Sequence, residues 1–217
     1  MADHFAEFGI PDTDAARQAD ALVFEIESPT LANHSVRTYL FGRAVGEGLG
    51  LRPGTDYDDE LLYLACILHD VGLTGRGDRE QRFEVDGADA AGEFLTELGL
   101  PADRVRTVWE AIALHTSNGI ASRMRPEIAL THAGAGADVT GLGARHLPEG
   151  FAERVHAAFP RLGCGELLTE AIVDQAVRNP AKAPLFTFPS GLLGQAHPGT
   201  PVPEWRRVIA AAWPGVA

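Results

Sequence analysis

From Glu60 to Asp70 the chain reads ELLYLACILHD, eight apolar residues in succession that end on a histidine and an aspartate. A helix apolar on every side belongs in an interior. The pattern therefore predicts a buried helix from Glu60 to about Asp70, capped by Asp58 or Asp59 and stopped by Gly72, that delivers His69 and Asp70 to the interior or the floor of a cleft. Elsewhere apolar positions recur at helical spacing. One helix is predicted from Asp14 to Glu27, ending at Ser28-Pro29 because the residue before a proline is driven out of the helical region. The next begins near Leu31, carries Val36, Leu40 and Ala44 on one face with His34 in its first turns, and dissolves at Gly46, Gly48 and Gly50. Val85, Ala88, Ala91, Phe94, Leu95 and Leu98 mark another, closed by Gly99. Pro101 opens a helix with Val105, Val108, Trp109 and Ile112 inward and His115 near its end. Pro126 starts one that passes Ile128, Leu130 and His132 and reaches Asp138 beyond the run AGAGA, whose small residues permit close backbone approach. Segments 148–159, 165–177 and 204–213 read as further helices. The charged, glycine-containing stretch Thr74 to Arg82 reads as a mobile loop, and the proline-rich segment 179–203 as a surface wrap.

No Asn-Gly or Asp-Gly pair separates two alternating β-branched runs, so the fold class is all-α. A length of 217 residues is awkward to divide into two self-sufficient cores. We read residues 1–217 as a single domain, with a core at about 30–142 and a helical, proline-rich C-terminal extension at 143–217. Composition then narrows function. A formal net charge of −12 works against nucleic acid and anionic membrane surfaces. No apolar run is long enough to span a membrane, and MADHFAEFGI lacks the features of a signal peptide, so the expected protein is soluble and cytoplasmic. Its expected partner is a small-molecule substrate, and the chain is compatible with a homo-oligomer. Cys66 and Cys164 are the two cysteines. With Cys66 inside LLYLACIL, neither a disulfide framework nor a cysteine-based zinc site is expected.

Adjacent His69 and Asp70 at the end of an apolar helix need a reason, because burying an imidazole and a carboxylate costs several kcal/mol unless they are paired or bound to a cation. A divalent ion removes that cost. Imidazole and carboxylate together suit zinc, iron or manganese. Two neighbouring residues cannot complete a coordination sphere, and His34 and Asp138, each in a short polar cluster on its own helix, are the best additional ligands.

The succession His34, His69-Asp70, Asp138 resembles the HD-domain superfamily of metal-dependent hydrolases and lyases. The blocks NHSVRTYLFG at 33–42, ACILHDVGLT at 65–74, RFEVDGADAAGEFL at 82–95 and LHTSNGIA at 114–121 are similar to its cyanamide-hydratase-like branch. Together they cover about half the chain. The resemblance implies a helical fold, metal bound through His34, His69, Asp70 and Asp138, and hydration of a small nitrile-like compound, with cyanamide to urea as the model reaction. Members with two metals use a further histidine soon after the His-Asp pair. Positions 71–114 hold none here, so one metal is expected, zinc first, with iron or manganese as alternatives.

Other residues receive provisional parts. His115 is expected to contact substrate or support the metal. His132, six residues before Asp138 and so about 240° from it on a regular helix, is held in reserve. Arg37, one turn after His34, would orient an anion or pair with Asp138 or Asp70. Glu84 and Asp86 would serve as general base or orient a water, and Asn118 would donate to a small polar substrate. Two other classes stay open: a phosphohydrolase acting on a nucleotide or other phosphomonoester, with Arg76, Arg79 and Arg82 as attractors of phosphate, and a ligand-binding module without activity.

Overall fold

Side-chain caps start the helices. After the short helix α1 (His4–Phe8), Thr13 accepts from the amide of Ala16 at 3.2 Å and opens α2 (Asp14–Ile26). Ser28 does the same for α3 (Pro29–Gly48), with Pro29 in its first turn, and Asp58 for α4 (Asp59–Leu68). Then come α5 (Phe83–Glu97), α6 (Ala102–Leu114), α7 (Pro126–Thr140), α8 (Phe151–Ala158), α9 (Cys164–Arg178), α10 (Phe188–Ala196) and α11 (Trp205–Ala212). This computed structural model describes residues 4–201 and 203–213, and among them there is no strand. The fold is all-α. The reading of the first residues and of a 1–217 domain span reaches partly outside the described residues.

Helix α4 is the axis. None of Leu61 to Leu68 is more than 4% exposed, because α2, α3, α6 and α7 pack around it. It stops two residues earlier than the apolar pattern suggests. His69 is its C-cap, and Asp70 begins a single 3-10 turn, Val71–Leu73. The tighter turn exists because Gly72 lies against the start of α5, where a Cβ would overlap the carbonyl oxygen of Phe83.

The most extensive helix pair is α3 with α7. Gly42 and Gly134 set its closeness: a Cβ on Gly134 would overlap the Thr38 carbonyl oxygen, and one on Gly42 that of Leu130. The AGAGA run thus serves backbone approach. Alanine at 134 gains about 1 kcal/mol in helix propensity, but the clash is with backbone, and no rotamer relieves it. Gly134→Ala is therefore expected to lower stability by about 1 to 3 kcal/mol in urea unfolding; an unchanged or higher midpoint would show that α3 and α7 part freely.

Two expectations change. The stretch Thr74 to Arg82 is tied down: Asp86 accepts from the amides of Arg79 and Gln81 at 2.9 and 3.1 Å, and Lys182 bridges Asp86 at 2.5 Å and the Gln81 carbonyl at 2.8 Å. Arg178 and Asn179 add contacts to Asp78 and Glu80. Asp86 is therefore a loop anchor. Lys182→Met would leave the Asp86 carboxylate without its buried cation, and faster amide exchange over 76–81 is the expected result. The 179–203 segment, expected to wrap the surface, contains α10. A capping box of Thr187 and Ser190 starts it, with Pro189 in the first turn, and it packs on α9.

Candidate metal centre

His34 sits in the second turn of α3, and His69 and Asp70 follow the last residue of α4. Their ligand atoms meet. The Nε2 of His34 lies 3.2 Å from the Nε2 of His69 and 3.5 Å from Asp70 Oδ2, and His69 Nε2 lies 3.2 Å from that same oxygen. All three residues are buried.

Hydrogen bonds behind the rings decide what these atoms carry. His69 donates from Nδ1 to the Cys66 carbonyl at 2.7 Å, and His34 donates from Nδ1 to Asp138 Oδ2 at 2.6 Å. With Nδ1 so engaged, each ring when neutral keeps its lone pair on Nε2, and the two Nε2 atoms face each other and a carboxylate oxygen. Without a positive charge among them the three would repel. A divalent cation satisfies all three at once, and two imidazoles with one carboxylate, backed by hydrogen bonds to the far nitrogens, is a donor set that fits zinc, iron or manganese. The field agrees. Burial would raise the Asp70 carboxyl, yet His69 and His34 hold it well below the usual carboxylate range. Burial is the largest single influence on His69 and lowers it, yet Asp70, the Cys66 carbonyl and Asp138 together raise the ring, so the site favours a positive charge there.

Asp138 takes a different post from the one expected of a fourth ligand. It meets His34 on the far side of the ring, where Arg37 grips both its oxygens at 2.7 Å from Nε and Nη2. Arg37 is wholly buried, and its Nη1 donates to the carbonyls of Phe159 and Pro160 at 3.1 Å. So Arg37 pairs with Asp138, one of the two roles foreseen for it, and is not among the residues that line the cavity described below. Arg161, which donates to the Asp138 carbonyl, and His156, 3.6 Å from Asp138 Oδ1, come from the segment after α7. Cys164 lies close enough to group with His34 and Asp138, and burial pushes its thiol up to about 11. Nothing in the sequence signalled these three neighbours, since no spacing rule links them to α3.

The centre opens onto a cavity of about 270 Å³. His115, the C-cap of α6, lines it with Nε2 3.9 Å from Asp70 Oδ1, while its Nδ1 donates to the Ile112 carbonyl at 2.7 Å. Burial lowers His115 to about 4, so the ring is neutral. His132 lines the same cavity and donates from Nδ1 to the His115 carbonyl at 2.7 Å. Asn118 stands at the rim, exposed. Glu84 is held away from this space: its carboxylate is bound by Arg82 and by Thr116 Oγ1, each at 2.5 Å, so it braces the wall and is not placed to act as a base.

One buried acid lies near the centre unassigned. Glu27 accepts from Ser35 at 3.2 Å through one oxygen, and among the described residues the other has no partner. Burial, aided by Asp70, raises its pKa well above the ordinary value. A carboxyl raised on folding stabilises fully below its unfolded pKa, near 4.5, and that stability is lost as pH rises toward the folded value. Glu27→Gln should therefore flatten the fall in melting temperature between pH 5 and pH 8; an identical fall in both proteins would show Glu27 already ionised.

Comparison with known proteins bears on the same residues. The HD domain family model matches residues 31–150. The cyanamide hydratases DDI2 and DDI3 of Saccharomyces cerevisiae are each 31% identical over 109 residues, which is 48% of this chain and 47% of the yeast protein. The match spans about half the length of these relatives. No helix among the described residues is long and apolar enough to cross a membrane. The family match takes in α3 to α7, the elements that carry His34, the His69-Asp70 pair, His115 and Asp138, and it covers more than half of the chain: this chain belongs to the HD-domain family.

Proposed function

We propose that this chain is a metal-dependent hydratase that adds water across the carbon–nitrogen triple bond of a small nitrile-like compound, with cyanamide to urea as the model reaction. One divalent transition metal serves it, zinc first among zinc, iron and manganese. The observation that carries the reading is the meeting of three lone-pair donors, His34 Nε2, His69 Nε2 and Asp70 Oδ2, on the floor of a cavity. His34, His69 and Asp70 would hold such an ion, which would supply Lewis acidity and bring the pKa of water toward about 7.

The chain's own groups do the rest. Asp138 and Arg37 lock the His34 ring so that Nε2 faces the centre. His115 has given its Nδ1 hydrogen to Ile112, so Nε2 is the acceptor that points at the site. It takes one proton from the water as oxygen bonds to the nitrile carbon, and returns it to the nitrile nitrogen. The remaining oxygen-bound proton then shifts to nitrogen, and the amide is complete without any bond to the protein. Apolar walls keep bulk water from diluting these charges.

The phosphohydrolase reading finds no comparable support. Among the described residues no lysine or arginine lines the cavity, and two of the three loop arginines are engaged, Arg79 by Glu93 and Arg82 by Glu84. The test is to incubate zinc-, iron- and manganese-loaded protein with cyanamide and assay urea. Urea formation that tracks metal content is expected; no urea where a phosphomonoester is cleaved would reverse the reading, and less than about half an equivalent of metal after careful purification would favour a binding module.

A further inference from the structure

The cavity is larger and greasier than cyanamide requires. Three heavy atoms need on the order of 90 Å³ if each takes about the 30 Å³ of a liquid water. The cavity holds about 270 Å³, near the lower end of the roughly 300 to 1,000 Å³ usual for small-molecule sites. Beside the three donors of the centre its polar lining is His115, Thr116, Asn118, His132, Thr140 and Thr169. Its larger apolar side chains on α7 to α10 are Val139, Leu142, Leu168, Ile172, Phe188 and Leu192. Four of these, Leu168 and Ile172 on α9 and Phe188 and Leu192 on α10, lie beyond residue 150, outside the family match. Phe188 remains 43% exposed at the mouth, an aromatic face that a ligand would cover.

We infer that the substrate carries, beside the reacting group, an uncharged apolar body of aryl or branched-alkyl size, seated between α7, α9 and α10 with its reacting end at His34, His69 and Asp70. The C-terminal helices are thus the specificity element of the molecule. No lysine or arginine among the described residues lines the cavity, so a carboxylate or phosphate on that body would find neither as a partner there. The inference names the substrate class for the hydratase reading and rests on it for the reaction, while the binding it requires can be measured separately.

Cyanamide and N-phenylcyanamide present the same reacting group with and without a ring, and urea and N-phenylurea are the matching products. With metal-loaded protein, kcat/KM for N-phenylcyanamide should exceed that for cyanamide at least tenfold, since even one methylene in an apolar pocket is worth about 10- to 200-fold. Calorimetry should find N-phenylurea bound at least tenfold more tightly than urea. Leu168→Trp, which fills the wall, should erase that binding preference, and Phe188→Ala, a truncation at the half-open mouth that leaves the core intact, should weaken N-phenylurea about fivefold or more. Equal binding of urea and N-phenylurea, or a phenyl preference that survives both variants, overturns the inference. The two readings fail separately. Urea from cyanamide with no gain from the ring sinks the apolar body and leaves the hydratase; wall-dependent binding of N-phenylurea with neither cyanamide converted sinks the hydratase and leaves the pocket's selectivity standing.

Discussion

His69→Ala is expected to emerge from purification with less than about a tenth of an equivalent of transition metal, while its helical circular dichroism matches the parent. The ring contributes one of three converging donor atoms, and its loss leaves His34 Nε2 and Asp70 Oδ2, 3.5 Å apart, as a two-point site open to water. Loss of a supporting hydrogen bond behind a ligand typically costs 10- to 100-fold in metal affinity; loss of the ligand itself should cost more, and urea production should fall at least about a thousandfold with it. Elemental analysis reads the first effect without reference to turnover. A variant that keeps a full equivalent would mean the ion is held elsewhere, and His34 and Asp70 would lose their assignment as well.

Arg37→Met is the second large change, and it acts on stability first. The guanidinium neutralises Asp138 through two hydrogen bonds of 2.7 Å, with neither side chain exposed. Methionine fills most of the volume and removes the charge. Breaking a buried ion pair from one side costs about 3 to 5 kcal/mol, because the remaining carboxylate is left uncompensated. At about 2 to 4 °C per kcal/mol for a chain of this size, the melting temperature should fall by roughly 6 to 20 °C. Arg161 and His156 also approach Asp138, so the outcome tends toward the lower half of that range. The double variant Arg37→Met/Asp138→Leu should recover much of the loss. A single variant as stable as the parent would show that Asp138 does not carry a charge in the folded protein.

Much of the centre was readable before any coordinates. The uninterrupted apolar run before His69 and Asp70 could be buried only as a central helix, and burial is what makes the pair costly without a cation. His34 was readable because it stands in a polar cluster on a helix that is otherwise apolar on its inner face. The role of Asp138 was not. The sequence places His34 and Asp138 in polar clusters on separate helices; which ring nitrogen of His34 the carboxylate meets depends on the crossing of the two helices, set by backbone contact at Gly42 and Gly134. Glu84 and Asp86 looked like candidates for chemistry because they follow the glycine-containing loop after His69-Asp70, and here both are engaged by cations, one of which, Lys182, comes from nearly a hundred residues later.

The order of the helices, their caps, the burial of α4 and the pairing of His69 with Asp70 follow from the chain itself, because propensity, capping and hydrophobic period act over a few residues. The tertiary structure decided what those local rules cannot reach: that Asp138 and Arg37 stand behind His34 instead of beside it, that the loop after His69-Asp70 is fastened by Arg178 of α9 and by Lys182, and that the proline-rich segment folds a helix over the cavity. The first two join side chains about a hundred residues apart, through the packing of α3 on α7 and the Lys182–Asp86 contact, and the third rests on the packing of α10 on α9.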